Sequence, residues 1–211
     1  FSVILCTYNG AKFLEKTLNS ILNQTYKKFE IIIVDDNSSD NTKSILHQYS
    51  EIKFVKIHYN LKNHGLGFCR NYAISLSSGD WITILDQDDL YDKSRLTKIY
   101  NLINQNKNIN FFFHDTNYIN ETDQIVSSHL FKYNLPFPKI DKKISTTLLL
   151  KYGSFIDSEA IAFKKNIFET VGKFDESFTY LCDYDFFLRV SFLYPFFYSR
   201  DKLSSWRVHK D

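Results

Sequence analysis

Short apolar runs recur through the first half of the chain, each ending abruptly in polar or acidic residues and each followed by helical spacing. Ser2-Val3-Ile4-Leu5-Cys6 reads as a buried strand that gives way to the polar loop Thr7-Tyr8-Asn9-Gly10. Leu14, Leu18, Ile21 and Leu22 follow at i, i+4, i+7 and i+8, which predicts a helix with Asn9 placed to cap near its start. Phe29 to Val34 repeats the layout, ending in Asp35-Asp36-Asn37-Ser38-Ser39 before a helix on Ile45, Leu46 and Tyr49. Phe54 to His58 does so again, passing through Asn63-His64-Gly65-Leu66-Gly67 into a helix that carries Arg70, Ala73, Ile74 and Leu76. A fourth strand, residues 81–85, ends in Asp86-Gln87-Asp88-Asp89. Continuous apolar strands alternating with helices predict an α/β fold whose sheet is mostly parallel and covered on both faces. In such sheets ligands bind beyond the carboxyl ends of the strands, where these polar loops fall.

The second half is less regular. A helix is expected from about Asp92 to Asn106 on Leu96, Ile99, Tyr100 and Ile103, then an aromatic strand at Phe111 to His114. Residues 115–143, with Pro136 and Pro138, are expected to form an edge hairpin and a flexible loop. A short helix near 144–151, a strand at Ala160 to Phe163 and a helix ending near Gly172 come next, followed by a helix that begins near Cys182. On this last helix Asp183 precedes Phe186, Phe187 and Val190 by three, four and seven residues, so it shares their inward stripe. That placement suits a general base better than a helix cap. Asp185 stands four residues before Arg189, as in a solvent-face ion pair. In the closing run, alternation puts Trp206 and Val208 on one face, and Arg207 and His209 on the other, toward the acidic cleft.

Composition narrows the reading. A chain of 211 residues, 44% hydrophobic, can bury a sizeable core. Its net charge of +2 and scattered basic residues give no nucleic-acid footprint. The three cysteines, Cys6, Cys69 and Cys182, have no metal-type spacing, which points to reduced thiols and a cytoplasmic setting. No apolar run approaches the roughly 18 residues of a membrane span.

The chemistry concentrates at Asp86, Asp88 and Asp89. Carboxylates packed so closely at the edge of an apolar core repel one another, and a hard divalent cation would neutralise them. Asp86 and Asp88 point the same way if the loop stays extended. An EF-hand is excluded because Leu90 falls on a ligand position, and a P-loop because no GKS or GKT triplet occurs. The Gly65-Leu66-Gly67 pair lacks the third glycine of a dinucleotide fingerprint, Arg70 standing there instead. An Asp-x-Asp phosphohydrolase would carry its motif on the first strand rather than the fourth. His64 and His114, near strand ends, carry only weak signals.

Taken together, Ser2-Val3-Ile4-x-x-x-Tyr8-Asn9, Val34-Asp35-Asp36-Asn37-Ser38-Ser39-Asp40, Gly65-x-x-x-x-Arg70-Asn71, Gly79-Asp80-x-Ile82-x-x-Leu85-Asp86-x-Asp88-Asp89 and Arg207-x-His209 resemble family 2 glycosyltransferases. The resemblance implies a GT-A (Rossmann-like) fold over residues 1–211, with a nucleotide-sugar half at 1–91 and an acceptor half at 92–211. It implies an inverting enzyme that uses a nucleotide-diphosphate sugar, with UDP the expected carrier, and Mn²⁺ or Mg²⁺. By that similarity Thr7, Tyr8, Asn9 and Asp36 hold the nucleobase, Arg70 approaches the base or diphosphate, and Asp86 meets the ribose or sugar. Asp88 and His209 take the metal, and Asp183 is the catalytic base. The implied acceptor is a saccharide or a lipid-linked glycan, in envelope polysaccharide assembly at the inner face of the cytoplasmic membrane, with peripheral membrane association. A non-catalytic nucleotide-sugar binding module is the alternative, because Cys182 stands where the family commonly has Glu.

Overall fold

The computed structural model describes residues 1–128 and 139–209. Strands β1 (Ser2–Thr7), β2 (Glu30–Asp35), β3 (Val55–Tyr59) and β4 (Trp81–Ile84) are parallel, in the order β3-β2-β1-β4, so all end at one edge. Side chains alternate along β1 and β2 between two cores. Ile4, Cys6, Ile32 and Val34 enter one, while Val3, Leu5, Ile31 and Ile33 enter the other. Burial on both faces is why these strands read as unbroken apolar runs.

The helices α1 (Leu14–Leu22) and α2 (Thr42–His47) seal one face through Leu14, Leu18, Ile21 and Leu46. On the opposite face α3 (Leu66–Leu76) packs through Cys69, Ala73 and Ile74. Asn9 does not cap α1, contrary to expectation. Phe13 occupies the cap position, and the Asn9 side chain turns away to accept from the Ser39 N–H.

The same sheet continues into the second half. Beyond β4 the order is β9 (Ile161–Lys164), β6 (Phe111–Ile119), β10 (Phe196–Arg207) and β5 (Leu90–Tyr91). β9 is antiparallel to both neighbours, whereas β6 and β10 run parallel. The expected edge hairpin forms between β6 and β7 (Ile125–Ser128), and β8 (Lys139–Ile140) pairs with the start of β10. The loop expected around Pro136 and Pro138, with His129, lies outside the described residues.

α4 (Arg95–Gln105) buries Leu96, Ile99 and Ile103, and α5 (Lys142–Tyr152), α6 (Ile167–Val171) and α7 (Cys182–Leu193) join α3 over the aromatic core. Phe111, Phe163, Phe186 and Phe187 are fully buried there, each stabilising the fold by about 1.5–3 kcal/mol. This core holds α7, and so Asp183, against the sheet.

Among the described residues no helix is long and apolar enough to cross a membrane.

Candidate functional site

Backbone geometry at the carboxyl edge builds a cavity of about 400 Å³ lined by the ends of β1, β2 and β4. Thr7, Tyr8, Asp36, Asp86 and Asp88 all line it. Tyr8 is about half exposed, its ring available to a ligand. Gln87, which sequence reasoning passed over, ties two of these loops together. Its Oε1 accepts from Thr7 Oγ1 at 2.8 Å and from the Tyr8 N–H at 2.9 Å, while its Nε2 donates to the Tyr8 carbonyl. Gly10 permits the clip, because a Cβ there would lie 2.2 Å from Gln87 Oε1.

Asp36 is buried against the loop before α3. Its carboxylate accepts from Asn60 Nδ2 at 2.8 Å, from the His64 N–H at 2.9 Å and from the Gly65 N–H at 2.8 Å. Gly65 has φ +89°, a conformation that side-chain-bearing residues rarely adopt, so the turn that presents these amides needs glycine. His64 stacks on Phe68, its centroid 4.2 Å away. Asn9 faces the neighbouring 38–39 loop and a smaller cavity, not the one lined by Tyr8 and Asp36.

The acidic loop does not stay extended. The Asp89 N–H donates back to the Asp86 carbonyl, so the chain turns over, yet Asp86 and Asp88 still share the cavity wall. Asp89 goes inward, where one oxygen accepts from the Arg207 N–H and Oδ2 has no partner among the described residues. Burial, then Asp88 and Asp86, pushes its carboxyl well above the usual range.

Arg70 has a different place from the one the motif suggested. It is 1% exposed and sits behind the cavity wall rather than opening onto the cavity. Its Nη2 grips both oxygens of Asp86, at 2.9 and 3.2 Å, and Nη1 lies 3.9 Å from Cys182 Sγ. Burial works against the guanidinium charge, but Asp86 and then Asp183 outweigh it and raise its pKa. Burial also pushes up the Cys182 thiol, so that neighbour supplies no negative charge. Arg70 therefore acts on Asp86 and fixes its position.

Asp86 also lines a second cavity, of about 280 Å³, whose far wall includes Asp183. Asp183 is half-buried at the open end of the stripe formed by Phe186, Phe187 and Val190. It is not the helix cap. Leu181 holds that position in a left-handed conformation, and Asp183 instead accepts from Ser158 Oγ at 2.7 Å and the Tyr184 N–H at 2.8 Å. Asp185 pairs with Arg189 at 2.6 Å on the partly exposed face, and Arg189 also donates to the Val171 and Lys173 carbonyls.

The carboxy-terminal pair does face the acidic loop. Arg207 Nε donates to the Asp88 carbonyl, and His209 Nε2 lies 2.6 Å from Asp88 Oδ2. The Asp88 carboxylate is a donor suited to Mn²⁺ or Mg²⁺, whereas the His209 imidazole, which lines the smaller cavity with Asn9 and Asp88 rather than a cavity that Asp86 lines, is a softer donor that suits Mg²⁺ poorly. No group of three or more such side chains gathers among the described residues, so phosphate and water oxygens would complete the coordination. His114, by contrast, is structural. It is fully buried, and Arg95 Nε donates to its Nε2.

Sequence reasoning also missed Ser158 and Glu159, on a short 3-10 turn at Ser158–Ala160 that precedes β9. The available signal was Glu159 immediately before an apolar strand, the same reasoning that picked out Asp86 after one.

The profile of glycosyl transferase family 2 matches residues 2–172. The chain belongs to this family. Among similar family 2 proteins, a glycosyltransferase of Rickettsia typhi is 33% identical over 213 residues, covering 99% of this chain and 64% of the relative. One of Methanocaldococcus jannaschii is 33% identical over 195 residues, covering 89% of this chain and 63% of the relative. This family 2 chain thus spans somewhat less than two thirds of the length of those relatives. Among solved structures, S. aureus TarS 1-349 in complex with UDP-GlcNAc aligns with a TM-score of 0.80 at 22% identity, over 100% of this chain and 59% of that one. Mannosyltransferase PcManGT from Pyrobaculum calidifontis, in complex with GDP-Man and Mn²⁺, aligns with a TM-score of 0.74 at 20% identity, over 97% and 56%. Both share the α/β fold with a mixed, mostly parallel sheet, as expected for GT-A.

Proposed function

We propose that this chain catalyses inverting transfer of a sugar from a UDP-linked donor to a hydroxyl of a glycan or lipid-linked acceptor. One observation carries the reading: Asp86 is the common wall of a cavity suited to a nucleotide and of a second cavity that holds Asp183. In this reading Tyr8 stacks on the base, and the Thr7 loop, clipped by Gln87, shapes the pocket. Asp86, braced by Arg70, orients the sugar between the two cavities. Asp88 and His209 would hold the divalent cation, which would supply Lewis-acid stabilisation of negative charge on the departing diphosphate. Asp183 takes the proton of the acceptor hydroxyl as it attacks the anomeric carbon. A single base on one face of the sugar is sufficient for inversion.

The TarS and PcManGT complexes support a nucleotide-sugar donor, and UDP is preferred on the TarS likeness. Incubation with UDP- and GDP-sugars and Mn²⁺ or Mg²⁺ tests the proposal. Metal-dependent release of nucleoside diphosphate is expected from at least one donor and should stop with a chelator. Donor affinity without hydrolysis or transfer would select the binding-module alternative.

Asp36 belongs to the same reading. Hydrogen bonds to a charged group contribute about 1.5–3 kcal/mol each. Asp36→Asn exchanges one acceptor oxygen for a donor that faces backbone N–H groups, so the 60–65 loop should loosen. UDP affinity measured by calorimetry should fall by roughly tenfold. Wild-type affinity would show that this loop does not shape the nucleotide pocket.

A further inference from the structure

The cavity that holds Asp183 has an unusual lining. Asp86, Asp157, Glu159 and Asp183 contribute four carboxyl groups, and no lysine, arginine or histidine lines it among the described residues. Arg70, behind the wall, directs its charge to Asp86. Arg95, also buried, sends Nε to His114 and Nη2 to the Ile161 carbonyl.

Within this set Glu159 is singular. It is 1% exposed, it lines the cavity, and its Oε1 has no hydrogen-bond partner among the described residues. Leaving a buried polar atom unpaired is costly, so a bound group that pairs with it recovers that cost. Burial, followed by Asp157 and Asp89, pushes the Glu159 carboxyl well above its ordinary value, which favours the protonated form. A neutral acid can both donate to and accept from a hydroxyl. Trp206 and Tyr118 also line the cavity, packed edge to face with centroids 4.9 Å apart, and Trp206 is 41% exposed.

We propose that Glu159 determines which sugar this cavity accepts, exchanging hydrogen bonds with a sugar hydroxyl, and that sugars carrying a negative charge, such as uronic acids, are excluded. The inference rests on the donor reading above, since it is the sugar tethered past Asp86 that would reach Glu159.

Calorimetry separates the two. The probes are UDP, UDP-glucose with UDP-glucuronic acid, and UDP-galactose with UDP-galacturonic acid, against wild type, Glu159→Gln and Glu159→Leu. In at least one pair the neutral sugar should bind tenfold or more tightly than its uronate. Glu159→Leu, similar in size but without a polar atom, should weaken that neutral donor about fivefold or more with UDP affinity unchanged. Glu159→Gln, which mimics the neutral acid, should stay within about twofold of wild type. Uronates binding as well as neutral sugars in both pairs would overturn the proposal, whatever the variants do. So would wild-type donor affinity in Glu159→Leu, the result expected if Glu159 serves only as an electrostatic neighbour of buried Arg95. Failure of UDP itself to bind would overturn the donor reading, and the sugar assignment with it.

Discussion

Asp183→Asn should lower the rate of transfer by about 10²–10⁴ while leaving nucleotide affinity intact, the loss expected when a general base is removed. The asparagine keeps the shape. Its Oδ1 still accepts from the Tyr184 N–H, and the Ser158 hydroxyl can rotate to accept from the new amide. What it cannot do is take a proton. Asp183 lines the cavity on the side away from the nucleotide pocket, so UDP binding measured by calorimetry should be unchanged and kcat alone should fall. Unaltered turnover would remove Asp183 from the base role and leave Asp157, on the same wall, as the carboxylate to test next.

The parallel half of the fold was legible because its strands are buried on both faces. Val3 to Cys6 and Ile31 to Val34 have no solvent side, and their abrupt polar ends mark where the sheet stops and ligands enter. The placement of Asp183 was legible for a related reason, since helical spacing set it on a stripe whose other members are buried. β10 was only half legible. Phe196–Arg207 is one strand, but exposed Arg200, Asp201 and Lys202 lie at a register shift against β6 and interrupt the alternation.

Direction was harder to read than location. The motif assigned Arg70 to the base or diphosphate, yet its side chain grips Asp86 from behind the cavity wall, because spacing cannot tell a charge that faces a cavity from one that faces the core behind it. Asn9 shows the same limit. Its place before α1 suggested a cap, yet its φ of 50° and its hydrogen bond to Ser39 commit it to the loop after β2. Gln87 and Glu159 act through long-range contacts or a buried unpaired oxygen, and neither leaves a periodic trace in the sequence.

The burial of Arg70 makes the two motif aspartates unequal. Removing Asp86 strands a guanidinium that is 1% exposed, whose Nε already lacks a partner among the described residues and whose remaining side-chain hydrogen-bond contact is a thiol. Breaking a buried pair from one side costs about 3–5 kcal/mol, and Asp86→Ala should fall near the low end because the Asp86 side chain is 32% exposed. Asp88→Ala breaks a contact to His209 between partly exposed groups, 28% and 45%, worth under about 1 kcal/mol. Urea unfolding should therefore separate the two variants clearly, although Asp88→Ala should lose metal-dependent binding of UDP and Asp86→Ala should lose transfer. Arg70→Met combined with Asp86→Ala removes both charges, so it should recover most of the stability lost by Asp86→Ala alone while remaining inactive. If Asp86→Ala proves as stable as wild type, Arg70 is balanced by some other group and cannot be what fixes the carboxylate between the two cavities.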